Sequence, residues 1–482
     1  MAQNRPNVIL ICADQWRGDC LGIAGHPVVR TPYLDKLALE GTRFSRAYAA
    51  CPTCIASRAA LLTGLRQETH GRVGYQDGVA WKYPVTIASE FTRQGYQTQA
   101  IGKMHVYPER NRVGFENVIL HDGFLHFAHD KHPCAYDMVD DYHPWLRQQL
   151  GRDAYDFEDG LNCNSYTARP WDKPEHTHPT NFVVSQSIDF LKKRDPTKPF
   201  FLFMSLHRPH PPLNPPAWAY DLYKDLKMPP PPAGKWSEMF AGSAQPDHPA
   251  LWYGKVSQQV LQSARAGYYG LMTHIDHQMN RFFETLQMYG QWHNSVVCFV
   301  SDHGDLMGDH NLFRKSFPYE GSARVPLILR GPGESGIRRN AVSSNVVELR
   351  DIMPTLLECA GLEIPDSVEG RSFLSNARGE AVAIHPYIHG EHTVPYQGSA
   401  HYLTDGHEKY VWYSGNGQEQ LFDLDKDTDE LNDLSSSAAY AGNLAKWRCE
   451  LIAELQGREE GFSDGKTLIA GCPAKALLSS CK

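Results

Sequence analysis

The sequence has no long hydrophobic run. Its uninterrupted apolar stretches are short, and none approaches the roughly 20 apolar residues that a membrane-spanning helix needs. The opening segment, MAQNRPNVILICADQW, contains an apolar run too short for the core of a signal peptide, and an acid follows it. We therefore expect no membrane partner and a cytoplasmic location.

An excess of positive charge is also missing. The 482 residues include 47 Lys and Arg against 55 Asp and Glu, a net charge of −8, so no nucleic-acid partner is expected. Any anion site must be built locally from a few basic residues and a metal. The 11 cysteines are scattered and odd in number, which favours reduced thiols over a disulfide framework. The chain is long enough for a large core and more than one domain.

Short apolar runs alternate with helix-like segments. The runs that predict buried strands are residues 7–13, 97–102, 200–206, 295–301 and 325–329. The segments that predict helices are residues 33–40, 57–62, 86–94, 183–193 and 264–289. This alternation predicts an α/β fold with a large, mostly parallel or mixed sheet flanked by helices.

The pattern changes after about residue 365. Residues 410–414 and 419–424 predict a β-hairpin around Gly415-Asn416-Gly417, and residues 438–457 predict a helix. We therefore expect a larger α/β domain over residues 1–365 and a smaller α+β subdomain with an antiparallel sheet over residues 366–482. Two segments rich in proline, histidine and tyrosine, at about 131–180 and 209–249, predict loops that rim a site.

Charged and imidazole side chains follow four of the predicted strands. They are Asp14 and Gln15, Lys103 and His105, His207 and His210, and Asp302 and His303. In open α/β sheets, ligands bind beyond the carboxyl ends of the strands. Four such coincidences are better explained by one convergent site than by chance surface polarity.

Cys54 stands at the predicted start of a helix, with Arg58 four residues on. A helix N-terminus suits an anion, and an arginine there adds bidentate recognition of sulfate or phosphate. The pair Cys51 and Cys54 also has the C-x-x-C spacing of a thioredoxin-like redox site. Two buried structural cysteines are the third interpretation, and these residues alone leave all three open.

The carboxylates of Asp14 and Asp302 indicate a metal site. Two acids at neighbouring strand ends stay together most easily with a cation between them. Oxygen ligands favour Ca²⁺ or Mg²⁺, and the imidazole of His303 admits Mn²⁺. A thiolate zinc site is not indicated, because Cys51 and Cys54 have no second C-x-x-C partner. The alternative is that Asp302 caps a turn ahead of Gly304.

The remaining candidates carry charge and protons. Lys103 and His105 could place a cation and a base in one cleft, although a solvated loop lysine is the simpler interpretation. His207 and His210 lie among prolines that restrict where their rings point, and an imidazole can protonate a leaving group. A proline-stiffened surface loop is the alternative. Lys315 is a candidate only because it lies thirteen residues beyond Asp302.

Together these motifs resemble the formylglycine sulfatases of the alkaline-phosphatase-like superfamily. The resemblance spans most of the chain and is strongest around Cys54. The motifs that carry it are the opening strand with Asp14 and residues 31–35, 54–64, 102–105, 301–304, 324–327, 420–424 and 430–434.

This resemblance implies a modified nucleophile. A separate maturation enzyme would oxidise Cys54 to formylglycine (3-oxoalanine), which acts as a gem-diol. A divalent metal, with Ca²⁺ expected ahead of Mn²⁺ or Mg²⁺, would be bound by Asp14, Gln15, Asp302, His303 and an oxygen of residue 54. The gem-diol lets the covalent intermediate collapse by elimination, which an ordinary serine does not allow.

The resemblance also implies roles for the other candidates. Asp302 would help to deprotonate the attacking hydroxyl, and Arg58 and Lys103 would stabilise the negative charge. His210 and Lys315 would protonate the departing sugar oxygen, and His105 would take the proton that regenerates the aldehyde. The substrate-binding residues would be Lys103, His207, His210 and Lys315.

Two features depart from the family pattern. Ala56 replaces the usual proline of Cys-x-Pro-Ser-Arg, and this variant resembles those processed by radical-type, oxygen-independent maturation enzymes. Gln15 stands where many members have a second Asp, and His303 where they have Asn. Gln and His at these two metal-site positions also occur in relatives that cleave phosphate or phosphonate diesters, often with Mn²⁺.

The leading hypothesis is therefore hydrolysis of a sulfate monoester on a small carbohydrate, such as a mono- or disaccharide from glycosaminoglycan breakdown. A phosphodiesterase or phosphonate monoester hydrolase on the same scaffold is the nearest alternative. A dithiol oxidoreductase using Cys51 and Cys54, and a non-catalytic sugar-binding relative, are hypotheses of other classes.

Overall fold

The computed structural model describes residues 5–122, 136–154, 161, 163–244, 248, 250–394 and 397–481. Within these ranges the chain forms a large mixed sheet flanked by helices and a separate four-stranded antiparallel sheet. The predicted α/β fold with a small antiparallel subdomain is confirmed. In this described part of the chain, no helix is both long enough and apolar enough to cross a membrane.

The large sheet is built around a buried central strand. Its members are β1 (Asn7–Asp14), β2 (Thr42–Tyr48), β3 (Gln97–Gly102), β4 (Asn117–Leu120), β5 (Phe200–Pro209), β6 (Ser295–Ser301), β7 (Arg324–Arg330), β8 (Ala341–Ser343) and β9 (Val347–Glu348). Their order is β4-β3-β5-β1-β6-β7-β2-β8, and β9 also pairs with β2. β4, β3, β5, β1 and β6 are parallel, whereas β7 is antiparallel to β6 and β2. The parallel strands therefore end at one edge.

Helices cover both faces of this sheet. In chain order they are α1 (Pro32–Leu39), α2 (Cys54–Thr63), α3 (Gln67–His70), α4 (Ile87–Arg93), α5 (Tyr136–Val139), α6 (Tyr142–Leu150), α7 (Pro179–Lys193), α8 (Ala217–Asp221), α9 (Gln258–Met288), α10 (Glu320–Ala323), α11 (Ile352–Cys359), α12 (Leu374–Ala377) and α13 (Ala441–Glu454). Ile9 and Ile11 of β1 pack on the side of α1, α7 and α9. Leu10 and Cys12 pack on the side of α2, α4 and α11. Burial on both faces explains why β1 is apolar throughout.

The C-terminal sheet has two different neighbours. It consists of β10 (Ile388–Val394), β11 (Gly398–Thr404), β12 (Glu408–Tyr413) and β13 (Glu419–Asp423), each antiparallel to the next. One face, with Tyr402 and Tyr413, packs against Tyr319 beside the large sheet. The other face, with Trp412, packs against Trp447 of α13. The predicted hairpin is β12–β13, whereas the division of the chain at residue 365 stays a prediction.

A buried ion-pair cluster joins this sheet to the larger part of the chain. Lys409 of β12 is fully buried, and its Nζ donates to Glu320 Oε1 and Glu430 Oε1, each at 2.8 Å. Lys409→Met leaves the buried Glu430 without a cation and Glu320 paired with Arg324 alone, so we expect the free energy of unfolding to fall by about 3–5 kcal/mol. Urea denaturation followed by circular dichroism measures this change.

The matched control is Lys426→Met. The Lys426 side chain is 74% exposed and pairs with Asp423 at the surface, so its replacement should leave the unfolding midpoint almost unchanged. Equal midpoints for the two variants would show that the buried cluster does not hold the sheet in place.

Candidate active site

The predicted site residues converge at the carboxyl edge of the parallel strands. β1 ends at Asp14, Lys103 and His105 follow β3, β5 contains His207 with His210 just after it, and Asp302 and His303 follow β6. The structure brings all eleven candidates into one connected group, through the contacts given below. Only His105 is half-buried, and the others are buried.

Cys54 is the first residue of α2 and is 1% exposed. Its Sγ lies 3.2 Å from His303 Nε2 and 3.7 Å from Asp14 Oδ1. Both described cysteines of the C-x-x-C pair are free thiols. Burial and Glu391 raise the pKa of the Cys51 thiol well above its ordinary value, which is the opposite of a thiol activated for redox exchange. The geometry therefore gives no support to the dithiol hypothesis.

Position 54 is surrounded by positive charge. Burial and Asp14 raise the pKa of the Cys54 thiol, but Lys103, Lys315 and His303 outweigh them and hold it well below its ordinary value. The helix N-terminus adds a favourable dipole. The site therefore stabilises an anion at this position, which is the property needed to bind a sulfate or to form a charged nucleophile.

Arg58 lies one turn after Cys54 on the same face of α2. It is fully buried; its Nε donates to Asp302 Oδ2 at 2.9 Å, and its Nη1 donates to Ser205 Oγ at 2.7 Å. Its Nη2 is buried and has no partner within the described residues. Nη1 also donates to the Lys103 carbonyl at 2.9 Å, so three partners fix the guanidinium and one donor nitrogen is left over.

Four residues fit a divalent cation. Asp14, Cys54, Asp302 and His303 each offer a ligand atom, and these atoms lie within 4.8 Å of one another. His303 Nδ1 donates to the Gly304 carbonyl at 2.9 Å, so the Nε2 lone pair is directed at the acids, 3.4 Å from Asp14 Oδ1. Asp302 accepts bonds from Arg58 and two backbone N–H groups but keeps lone pairs for a metal. This donor set suits Ca²⁺, Mg²⁺ or Mn²⁺.

Gln15 lies beside this group with its side chain turned to other partners. Its Oε1 accepts a bond from Lys315 Nζ at 2.7 Å, and its Nε2 donates to Asp305. Its backbone is in the left-handed region, at φ 70°. The predicted role of Gln15 as a metal ligand stays a prediction.

Lys103 owes its position to the glycine before it. Gly102 has φ +101°, and a Cβ there would lie 1.9 Å from the Ser205 carbonyl oxygen, so only glycine fits. Lys103 is fully buried and its Nζ donates to Asp14. Burial lowers the pKa of Lys103, but Asp14 and Cys54 outweigh burial and raise it, so the lysine stays charged.

His105 lies between residue 54 and an acid that sequence reasoning missed. Its Nε2 is 3.2 Å from Asp77 Oδ1, and its backbone N–H donates to Asp122 Oδ1 at 2.9 Å. Burial lowers the pKa of His105, but hydrogen bonds to Asp77 and Cys54 raise it to about 9. Asp77 lies in a loop without periodicity, so no sequence signal marked it.

His210 and Lys315 form a pair. His210 Nδ1 donates to the Pro211 carbonyl at 2.9 Å, and its Nε2 accepts from Lys315 Nζ at 2.7 Å. Burial and Lys315 lower the pKa of His210 well below its ordinary value, so Lys315 is the charged member. The ring of His207 stacks on that of His210, with centroids 5.3 Å apart.

His392 is a further site residue that the sequence did not mark. The backbone N–H of Glu391 donates to the Ala50 carbonyl at 2.8 Å, which holds β10 against the loop before Cys54. His392 is 4% exposed, and its Nε2 has no partner in the described part of the chain. Burial, together with the nearby positive charges of His303 and Lys315, lowers the pKa of His392 to about 4. The C-terminal sheet thus supplies a side chain to the site.

Comparisons with known proteins give matches that cover almost the whole chain. A family model described as Sulfatase matches residues 6–362, and one described as N-sulphoglucosamine sulphohydrolase, C-terminal, matches residues 308–457. An arylsulfatase of Clostridium perfringens is 50% identical over 478 residues, 98% of this chain and 99% of that protein. The multifunctional alkaline phosphatase superfamily protein PehA of Trinickia caryophylli is 28% identical, over 91% and 92% of the two chains. The crystal structure of a phosphonate monoester hydrolase of Agrobacterium radiobacter has a TM-score of 0.76 at 26% identity, covering 93% of this chain and 95% of that one.

Proposed function

Because this chain belongs to the sulfatase family, we propose that its buried site removes the sulfate group from a small carbohydrate, such as a mono- or disaccharide from glycosaminoglycan breakdown. Its similarity to an arylsulfatase over almost the whole chain supports sulfate ester hydrolysis. The observation that carries the proposal is the buried positive charge around residue 54, from Arg58, Lys103 and Lys315. A sulfate monoester is an anion that such a pocket binds.

We propose that Cys54 is the precursor of the nucleophile. Oxidised to formylglycine by a separate maturation enzyme, residue 54 supplies a hydrated aldehyde whose hydroxyl attacks the sulfate. Ala56 in the motif favours a radical-type partner. Asp14, Gln15, Asp302 and His303 would hold a divalent ion, for which we propose Ca²⁺, and such an ion polarises the sulfate and the attacking hydroxyl.

The buried cations hold the sulfate while this attack takes place. Arg58 is locked to Asp302 and Ser205, so its remaining Nη2 donor is already oriented and costs no reorganisation when charge develops. Lys103 lies on the other side of Asp14 and adds a second fixed positive charge. Their fixed positions, more than their number, favour the transition state over the substrate.

The His210–Lys315 pair protonates the departing sugar oxygen in this proposal. Lys315 carries the proton, and His210 accepts the Lys315 N–H through its Nε2. A sugar hydroxyl is a poor leaving group unless it receives a proton as the bond to sulfur breaks. The pair therefore matters most for the natural substrate class.

His105 completes the reaction. It takes the proton from the remaining hydroxyl of residue 54, so that a C=O double bond forms, the C–O bond to sulfate breaks and sulfate leaves. In the unmodified chain the Cys54 contact helps to raise the pKa of His105 to about 9. Conversion of residue 54 removes that contribution and so lowers the pKa of His105, and in this proposal the neutral form of the ring takes the proton while Asp77 keeps it oriented.

Two side chains are placed to contact the sugar. Tyr75 is 45% exposed, and its ring centroid lies 6.1 Å from that of His105. His392 reaches the site from the other side, on β10. We propose that the sugar lies against the Tyr75 ring, since aromatic faces bind carbohydrate rings through apolar contact.

Tyr75→Ala should therefore raise KM for a sulfated sugar. We expect a roughly 3- to 10-fold increase with kcat little changed, because the ring contacts the substrate equally in the ground and transition states. Tyr289→Ala is the matched control: Tyr289 is 42% exposed but lies between α9 and the start of β6, at the opposite end of the parallel strands from the site. Steady-state kinetics on both variants give the two KM values. An unchanged KM for Tyr75→Ala would show that Tyr75 does not contact the sugar.

A hydrolase of phosphate diesters or phosphonate monoesters is the second candidate. Gln15 and His303 favour it, since they reduce the negative charge of the metal site. The similarity to a phosphonate monoester hydrolase of Agrobacterium radiobacter also supports it. In this alternative the same anion pocket and the same nucleophile act on phosphorus.

One comparison of rates tests the proposal. The chain is expressed with a radical-type maturation enzyme, and kcat/KM is measured for an aryl sulfate and for an aryl phosphodiester with the same leaving group. We expect the sulfate to react faster by at least an order of magnitude. A faster phosphodiester reaction would establish the second candidate instead. Mass spectrometry of the peptide that contains residue 54 shows in each preparation how much aldehyde is present.

A further inference from the structure

A second buried cluster of metal-binding side chains lies beside the active site. His121 follows β4, Asp140 lies just before α6, and His143 is in the first turn of α6. All three are completely buried, and their ligand atoms lie within 4.8 Å of one another. We propose that His121, Asp140 and His143 bind a second divalent transition metal, zinc, separate from the metal of the active site.

The distances suit a zinc ion. Asp140 Oδ1 lies 3.2 Å from His121 Nδ1, and Asp140 Oδ2 contacts His143 Nδ1. In a tetrahedral zinc site with bonds of about 2.0–2.2 Å, neighbouring ligand atoms are about 3.3 Å apart. The three ligand atoms are therefore close enough together to share one ion once the Asp140 and His143 side chains move slightly apart.

The charge of Asp140 also calls for a cation. Within the described residues, its carboxylate contacts the two imidazoles and the His143 backbone N–H at 2.8 Å, but no lysine or arginine. A carboxylate buried in the protein interior is costly unless a positive charge compensates it. A divalent ion bound between the three side chains supplies that charge.

His121 is not held as a purely structural buried histidine would be. Its Nε2 is buried and has no partner in the described part of the chain. Buried polar atoms of structural side chains normally have hydrogen-bond partners. In the described residues the ring is held by the contact of its Nδ1 with Asp140 Oδ1, so Nδ1 is the atom that faces the proposed ion.

The ligand chemistry separates the two sites. Two imidazole nitrogens and one carboxylate favour zinc and its neighbours in the transition series, whereas the oxygen-rich site at Asp14 and Asp302 favours harder ions. A zinc ion would join residues 19 apart in sequence, at the end of β4 and the start of α6. It would also brace the active-site wall, because the His121 ring lies 5.9 Å from that of His207.

The test measures how many zinc ions bind per chain in a variant that lacks two of the predicted ligands of the active-site metal. In the Cys54→Ala/His303→Asn background the soft ligands of that position are gone, and only carboxylate and amide oxygens remain. The metal-free protein is titrated with Zn²⁺ alone, desalted and analysed by inductively coupled plasma mass spectrometry. We expect one zinc per chain and a rise in Tm on adding zinc.

Adding His143→Asn to this background should abolish both the bound zinc and the rise in Tm. His293→Asn, at an exposed histidine, should change neither. Zinc counts that are the same with and without the His143→Asn substitution, or a background protein that retains no zinc, would overturn the proposal and leave Asp140 as a simple acceptor of two imidazole N–H groups.

A crystallographic measurement covers the case in which the His143→Asn variant does not fold. Anomalous scattering at the zinc edge, from crystals of the unsubstituted chain grown with zinc, should give a peak between the three side chains. A difference map without a peak there would be decisive against the site.

Discussion

Cys54→Ala should abolish sulfate ester hydrolysis and leave the fold intact. In the proposed mechanism the thiol is the source of the oxidised side chain, and the smaller alanine fits the same buried space without clashes. Loss of a covalent nucleophile costs about 10⁴-fold or more in kcat even when the rest of a site is present. The measurement is kcat/KM on an aryl sulfate after co-expression with a maturation enzyme, with thermal denaturation as the check on folding.

Cys51→Ala is the control that separates this mechanism from thiol chemistry. Cys51 is as buried as Cys54, but its pKa is raised by burial and Glu391, and it contacts none of the charged site residues described above. We expect this variant to keep most of its activity. Loss of activity in both variants would support a dithiol, and retention of activity in Cys54→Ala would rule out formylglycine.

His210→Ala should lower activity in proportion to how much help the leaving group needs. For a sugar sulfate we expect kcat/KM to fall by about 10²- to 10⁴-fold, the usual contribution of general acid catalysis, because Lys315 loses the imidazole that positions it. For an aryl sulfate with an acidic phenol the loss should be below about 10-fold, because that phenolate leaves without a proton. A series of aryl sulfates with graded phenol pKa measures the dependence.

Lys315→Ala and His207→Gln are compared with His210→Ala in the same assays. Lys315 and His210 share a 2.7 Å contact, so the double variant should be little worse than either single one. His207 accepts a bond from Arg208 Nη1 at 2.5 Å, and burial and Arg208 hold the pKa of its ring well below its ordinary value. The ring therefore stays neutral and is a poor proton donor, so its replacement should affect all substrates equally. Equal losses for His210→Ala across the series would assign the acid elsewhere.

The strands of the large sheet were the most predictable part of the fold. β1, β5, β6 and β7 are mainly runs of apolar residues because both of their faces are covered. β10, with the sequence IHGEHTV, gave no such signal although six of its seven residues are buried. Glu391 there is compensated by Arg458, whose Nη1 donates to Glu391 Oε1 at 2.9 Å. Pairings between residues this far apart in sequence leave no periodic pattern.

The same reasoning separates the predictable from the unpredictable part of the site. Parallel strands end at one edge, so the residues that follow them meet whatever the loops do. Asp77, His392 and the group His121, Asp140 and His143 enter from a loop, from the second sheet and from the segment after an edge strand. Their positions depend on tertiary packing. Part of the predicted loop rim, at residues 131–135, 155–160, 162, 245–247 and 249, lies outside the described residues.

Because Cys54 is buried in the folded protein, the oxidation proposed for it must take place before folding is complete. The side chain is 1% exposed, and all ten residues of α2 are buried. An enzyme that oxidises this residue needs the surrounding peptide to be extended and accessible, and the finished fold offers neither. The proposed maturation would therefore compete with folding of the nascent chain, and the relative rates of the two processes would fix the proportion of active molecules in a culture. Slowing synthesis should raise that proportion, whereas adding the partner to purified protein should not.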